Sequence, residues 1–223
     1  MEIEADKAAP VKGPLPPTLH LHDFLDRDEY AALLDWVDSN RERFEAAHVD
    51  YGDDQRIDDR IRVALNLRDL GPLKSVLTER LLAVLPRIVE SIGGRISSSP
   101  SLELELTAYG DGAFFRIHED IPVGRARDKI AKGKKDRLLS AVYYFHRQPK
   151  AFTGGELRTY RWGADMNDLR EGDYRDLPPD DNSLVAFPSW ATHEVRPVAC
   201  ESQRFEDYRY ALNCWYREHL PGN

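Results

Sequence analysis

The sequence predicts an α+β domain in which N-terminal helices back a β-sandwich or jelly roll. Three observations point there. Helical periodicity is confined to the stretch before residue 95, and from residue 100 onward apolar and polar residues alternate as in half-buried strands. No segment of helical crossover length separates the later strand candidates, so an antiparallel sheet is expected. A chain of 223 residues with 41% hydrophobic and 31% charged side chains is long and apolar enough to bury a substantial core.

In chain order, residues 1–17 read as a flexible or extended tail, because Pro10, Pro14, Pro16 and Pro17 remove backbone donors and disfavour helix. In "DFLDRDEYAALLDWVDSNRERF", Asp26 and Glu29 form a capping-box pattern, and Tyr30, Leu33, Leu34 and Val37 share one helical face. A second helix is expected in "GPLKSVLTERLLAVLPRIVESIGG", opened by Pro72, bent or broken at Pro86 and closed by Gly93-Gly94. Residues 18–99 are therefore assigned as a helical support region for a β core over 100–223, the whole forming one integrated domain. "LELELTAY" sets Leu102, Leu104 and Leu106 opposite Glu103 and Glu105; further strands are expected at 137–145, 155–160, 183–188 and 208–216. The segment 161–182 reads as an irregular insertion, His48-Val49-Asp50 as a solvated loop, and Trp190 and Trp215 as core.

The formal charge of -8 and a pI near 5.4 argue against an electrostatic grip on nucleic acid or an anionic membrane. The N-terminus lacks the basic start and apolar run of a signal peptide, and no stretch approaches a membrane span. With only Cys200 and Cys214, a reducing cytoplasm is the expected compartment.

The chemistry concentrates in "FRIHED". On a strand, residues i and i+2 share a face, so His118 and Asp120 can present an imidazole and a carboxylate to one point. Two histidines and one carboxylate with open positions opposite suit non-haem Fe(II) oxygenases. His193, in "FPSWATHEV", lies in the same β-rich half and is the preferred third ligand; His146 is a weaker contender, and His20, His22 and His219 lie near the chain ends. Arg209 stands alone among aromatic and apolar residues in "YRYALNCWY". It is either an edge-strand arginine reaching solvent along its stem or a buried cation awaiting an anion such as a carboxylate.

Taken in order, "TAYGDGAFFRIHED", "DRLLSAVYYF", "GGELRTY", "FPSWATHEV" and "RYALNCWY" resemble the catalytic domain of 2-oxoglutarate and Fe(II)-dependent dioxygenases of the prolyl-hydroxylase type. The likeness is to the hypoxia-inducible-factor prolyl hydroxylases and, more distantly, to the collagen-type prolyl 4-hydroxylases; it covers roughly residues 100–217. The resemblance implies a double-stranded β-helix, iron held by His118, Asp120 and His193, and Arg209 as the anchor for the far carboxylate of 2-oxoglutarate, ranked above Arg204 and Arg196. It also implies Tyr109 and Tyr144 as residues that bond or enclose that co-substrate, unless they are aromatic core. The implied cofactors are Fe(II), 2-oxoglutarate and dioxygen, with ascorbate as a reductant. The implied reaction hydroxylates a substrate C–H, releasing succinate and carbon dioxide.

A prolyl residue of a protein or peptide is the expected substrate, with a free amino acid or small metabolite as the alternative. Nucleic-acid demethylation is disfavoured by the acidic balance, and an inert metal-bound interaction module by the presence of every implied ligand. The basic segment 122–137 is either a lid over the substrate or a solvated surface loop.

Overall fold

The computed structural model describes residues 12–51, 54–94, 96–121 and 135–219. The N-terminal part contributes β1 (Leu19–His22), α1 (Arg27–Ser39), β2 (Glu45–Ala46), β3 (Val49–Tyr51), β4 (Asp54–Arg56), β5 (Arg62–Val63), β6 (Leu65–Leu67) and α2 (Leu73–Ile92). The remainder contributes the strands β7 (Ser101–Tyr109), β8 (Phe114–His118), β9 (Lys135–Phe145), β10 (Thr153–Gly154), β11 (Leu157–Tyr160), β12 (Tyr174–Leu177), β13 (Ser183–Pro188), β14 (His193–Val195), β15 (Val198–Ala199) and β16 (Arg209–His219). A seven-stranded sheet runs β1-β13-β9-β16-β7-β6-β2, and a five-stranded sheet runs β12-β11-β14-β8-β5. β10 with β15 and β3 with β4 make two small ribbons, and the paired strands are antiparallel. This is the expected jelly roll.

Period-2 alternation decides which residues see which layer. Along β16, Tyr210, Leu212, Cys214 and Tyr216 pack into one core cluster with Leu33 and Val37 of α1 and Leu77, Leu81 and Ile88 of α2. The intervening Arg209, Ala211, Asn213 and Trp215 face a cavity on the opposite side. β9 divides likewise, with Tyr143 and Phe145 toward the helices and Val142 and Tyr144 in a cluster with Leu157 and Leu177 of the smaller sheet. The helices thus cover the outer face of the large sheet, and the inner face is left for the site. Tyr216 ties the layers together by donating from its hydroxyl to the carbonyl of Leu81.

Both helices follow their sequence signals, with one exception. The Asp26 carboxylate accepts from the backbone N–H groups of Asp28 and Glu29, and Glu29 returns the bond to Asp26 N, closing the capping box. α2 ends where Gly93, at φ 79°, takes up the left-handed conformation that other residues avoid. Pro86, however, neither breaks nor ends α2. It lies on the exposed face, where the Leu82 carbonyl that loses its partner can turn to water.

Four other expectations need correction. The support region is not purely helical, since β1, β2 and β6 extend the large sheet and β5 the smaller one. His48-Val49-Asp50 enters the β3–β4 hairpin, although His48 and Asp50 are exposed as expected. The insertion 161–182 contains β12, which pairs with β11 across Tyr160↔Tyr174; its Asp-rich flanks hide the short strand. Residues 12–17 of the supposed tail are pinned, with Lys12 Nζ 2.5 Å from Asp173 and Gly13 N donating to Trp162 O. Residues 1–11, and 122–134 of the basic segment, lie outside the described residues. Among the described residues no helix is long and apolar enough to cross a membrane.

Candidate active site

β8 ends on His118, β14 begins on His193, and the sheet register makes these two residues direct cross-strand partners. Their rings lie 4.2 Å apart between centroids. Asp120, two residues past His118, is aimed between them: Oδ1 lies 3.9 Å from His118 Nε2 and Oδ2 lies 3.8 Å from His193 Nε2. Ligand atoms of all three residues fall within 4.8 Å of one another. Each Nδ1 faces a backbone carbonyl, Arg116 O at 2.7 Å for His118 and Ala191 O at 2.8 Å for His193. A carbonyl only accepts, so Nδ1 carries a proton, and it is Nε2 of each ring that is directed at Asp120.

The carboxylate is held in turn. Ser140 donates to Asp120 Oδ2 at 2.6 Å and shares a 2.8 Å bond with Ser189, while Asp120 N donates to Ser189 O. Phe115 stacks on His118 at 3.6 Å, and the Arg62 guanidinium lies over the Phe115 ring at 4.7 Å. Burial, and then the neighbouring His193, push the His118 imidazole down to about 3. Burial alone would raise the Asp120 carboxyl, but the facing His193 and His118, with the Ser140 bond, hold it below the usual range. A neutral His118 imidazole and an ionised Asp120 carboxylate are therefore ready at neutral pH.

That protonation pattern predicts acid sensitivity of the metal-free chain. Unfolded, His118 takes its proton near 6.5, but folded only near 3, so its contribution to stability is complete above 6.5 and is lost as pH falls toward 3. Asp120 acts in the same direction, its contribution fading as pH falls through its lowered folded value. The thermal midpoint of metal-free protein should drop steadily between about pH 6.5 and 4. His118→Gln should flatten that slope; an unchanged slope in the variant would refute the assignment.

Behind the triad, Arg209 opens β16 and is only 1% exposed. Its guanidinium lies 4.7 Å from the ring centroids of both Tyr109 and Tyr144, so the two tyrosines hold it from either side. Among the described residues, Arg209 Nε and Nη1 and the Tyr144 hydroxyl are buried without a hydrogen-bond partner. Burial pushes the Tyr144 phenol up to about 12, against the pull of Arg209. Two guanidinium nitrogens left without partners at this depth are costly, and a carboxylate entering the cavity could satisfy them. The same cavity is lined by His118, Asp120, His193, Tyr109, Tyr144 and Arg209.

Residues 104–217, half of the chain, match the model of the 2OG-Fe(II) oxygenase superfamily. The chain belongs to this superfamily. It is 35% identical over 153 residues to an uncharacterised PKHD-type hydroxylase of Synechocystis sp., a match covering 66% of this chain and 46% of that protein, so the chain spans about half the length of this curated relative. Its fold is similar to that of a Pseudomonas putida prolyl-4-hydroxylase, with a TM-score of 0.61 and 21% identity over 92% of this chain and 94% of that one. It is also similar to a Trichoplax adhaerens prolyl hydroxylase solved with a peptide fragment of the hypoxia-inducible factor oxygen degradation domain, with a TM-score of 0.63 and 18% identity over 90% and 83% of the two chains.

Superfamily membership implies Fe(II), 2-oxoglutarate and dioxygen. The residues fit that set. Two imidazole nitrogens and a carboxylate could hold ferrous iron, and the orphaned guanidinium and phenol could receive a dicarboxylate. Gly155 makes room for the guanidinium: at φ +75°, a Cβ there would lie 2.6 Å from Arg209 Cδ and 2.9 Å from Val198 Cγ2. Gly155→Ala should therefore destabilise the chain by about 1–2 kcal/mol from the left-handed backbone alone. By displacing Arg209 it should also raise the dissociation constant for 2-oxoglutarate, as read by calorimetry.

The other sequence candidates lie apart. His146 is buried but bonds through Nδ1 to Arg147 O, outside the triad. Arg196 pairs with Glu194, and Arg204 with Asp207, so neither is free for the cavity. Trp190 is 40% exposed and meets the 63% exposed Trp162 edge-on, contrary to its assignment as core. Trp215 is a cavity-wall residue with Arg137 over its ring at 3.8 Å, again not core. Sequence reading missed Ser140, Arg62 and Glu105. Ser140 is a lone hydroxyl among apolar neighbours in β9, a signal that was present. Glu105, on the polar side of "LELELTAY", is buried and shared by Arg62 at 3.0 Å and Arg68 at 3.1 Å, because that side faces the cavity wall.

Proposed function

We propose that the chain is an Fe(II)- and 2-oxoglutarate-dependent hydroxylase whose substrate is a prolyl residue of a protein or peptide. The observation that carries the reading is the convergence of His118, Asp120 and His193 in one cavity with the unpaired Arg209. In this reading the triad holds iron through His118 Nε2, His193 Nε2 and an Asp120 oxygen. Arg209, flanked by Tyr109 and Tyr144, binds the far carboxylate of 2-oxoglutarate. The bound iron and co-substrate supply the oxidising power for C–H hydroxylation with release of succinate and carbon dioxide.

What the protein contributes is geometry and dryness. The carbonyls of Arg116 and Ala191 fix both imidazoles in the tautomer whose Nε2 can ligate. Ser140 holds one Asp120 oxygen, so the carboxylate cannot rotate freely. Arg209 turns the co-substrate toward the triad, since its own position is set by two aromatic faces and by the space at Gly155. Val142, Ala211 and Leu157 add apolar surface to the cavity wall, where water binds poorly.

The prolyl substrate is supported by the PKHD-type name of the Synechocystis relative and by the prolyl hydroxylases among the similar folds. Incubation with Fe(II), 2-oxoglutarate, ascorbate and proline-containing peptides should add one oxygen to proline, read by tandem mass spectrometry. Succinate formation with free amino acids but with no peptide would overturn the polypeptide substrate while leaving the oxygenase chemistry intact. The two buried free thiols, Cys200 and Cys214, accord with a reducing compartment, and we assign the cytoplasm.

A further inference from the structure

A second group of potential ligands lies at the edge of the large sheet and uses none of the residues assigned above. His20 and His22 belong to β1, the edge strand, where register with β13 pairs them with Val185 and Ser183. Leu21 between them enters the core, so period-2 alternation puts both imidazoles on the opposite face. Their rings lie 4.5 Å apart between centroids at 37°. Asp180 approaches from the segment joining β12 to β13, its Oδ2 3.9 Å from His20 Nε2, and ligand atoms of the three residues lie within 4.8 Å of one another. Among the described residues, His20 Nε2 finds no hydrogen-bond partner although it is buried, which a simple surface histidine would not show.

We propose that His20, His22 and Asp180 form a second metal site, for a divalent transition ion such as Zn²⁺, Co²⁺ or Ni²⁺. Two imidazoles with one carboxylate are a borderline-soft donor set that prefers these ions over Mg²⁺ or Ca²⁺. The His–Asp separation of 3.9 Å equals that between His118 and Asp120, so both clusters need only a small rotamer contraction around an ion. Ligand bonds of about 2.0–2.2 Å place neighbouring donor atoms roughly 3–3.5 Å apart. The strand holds the two imidazoles i and i+2, and an ion there clips β1 to the chain segment leading into β13. The site is therefore structural, tying the N-terminal strand to the large sheet.

Equilibrium dialysis of the full chain, free of any affinity tag, against Co²⁺ or Zn²⁺ gives the stoichiometry directly. The wild type should bind two ions per chain, His20→Gln/His22→Gln one, and His118→Ala/His193→Ala one. The fourfold variant should bind none, and Asp180→Asn alone should weaken the peripheral ion at least about 10-fold. Zn²⁺ should raise the thermal midpoint of the His118→Ala/His193→Ala protein, and that rise should vanish when His20 and His22 are also replaced. A wild-type stoichiometry unaltered by His20→Gln/His22→Gln, or a peripheral ion indifferent to Asp180→Asn, overturns the proposal. If the triad variant does not fold, the comparison of wild type with His20→Gln/His22→Gln still decides.

Discussion

Asp120→Ala should abolish iron-dependent succinate formation, lowering it by at least about 10³-fold. Asp120 supplies the one negative charge of the triad, and its two oxygens face the two imidazoles at 3.9 and 3.8 Å. Without it, a ferrous ion would meet two neutral nitrogens and a Ser140 hydroxyl that has lost its acceptor. Asp120→Asn separates charge from shape, because the amide fills the same space without the charge. It should behave nearly as Ala does in turnover and keep the fold by circular dichroism. Retention of more than a tenth of wild-type succinate formation by either variant would show that the carboxylate is no ligand.

Arg209→Leu should raise the KM for 2-oxoglutarate about 100- to 10,000-fold while leaving the triad able to bind metal. The magnitude follows from losing two charge-assisted hydrogen bonds of roughly 1.5–3 kcal/mol each. The informative feature is an opposition of signs. An arginine that merely braced the core would destabilise the fold when removed, whereas one buried with Nε and Nη1 unpaired is a burden until its anion arrives. Metal-free, co-substrate-free Arg209→Leu should therefore be as stable as wild type or more so, and it should lose the stabilisation that 2-oxoglutarate gives wild type. Arg209→Lys should recover part of the affinity, since an ammonium keeps the charge but not the planar fork. A destabilised apo variant with unchanged KM would mark Arg209 as structural.

The elements legible in the sequence were those whose pattern and burial agree. β13 was read at its full bounds because six consecutive buried residues, Ser183–Pro188, lie between turn residues. α1 was read from its capping box, and His118 with Asp120 from the i, i+2 rule of a strand. His193 could be ranked but not fixed by the residues alone, because its pairing with His118 is a register across the smaller sheet. β12 and the β3–β4 hairpin were missed because their strands of four and three residues carry charged side chains on exposed faces. Trp190 was misplaced because aromatic content signals burial on average, and here a turn before β14 leaves the ring at the surface beside Trp162. Glu105 was placed only on the polar side of its strand, because alternation separates two faces without revealing that this one packs on Arg62 in the cavity wall.

The most direct measurement is an anaerobic crystal structure with Fe(II), or Mn(II) in its place, and 2-oxoglutarate. The expected result is one ion bonded to His118 Nε2, His193 Nε2 and an Asp120 oxygen at about 2.0–2.2 Å, with the far carboxylate of 2-oxoglutarate on the Arg209 guanidinium. An ion bound away from these three side chains, or a co-substrate that leaves Arg209 unpaired, would contradict the account.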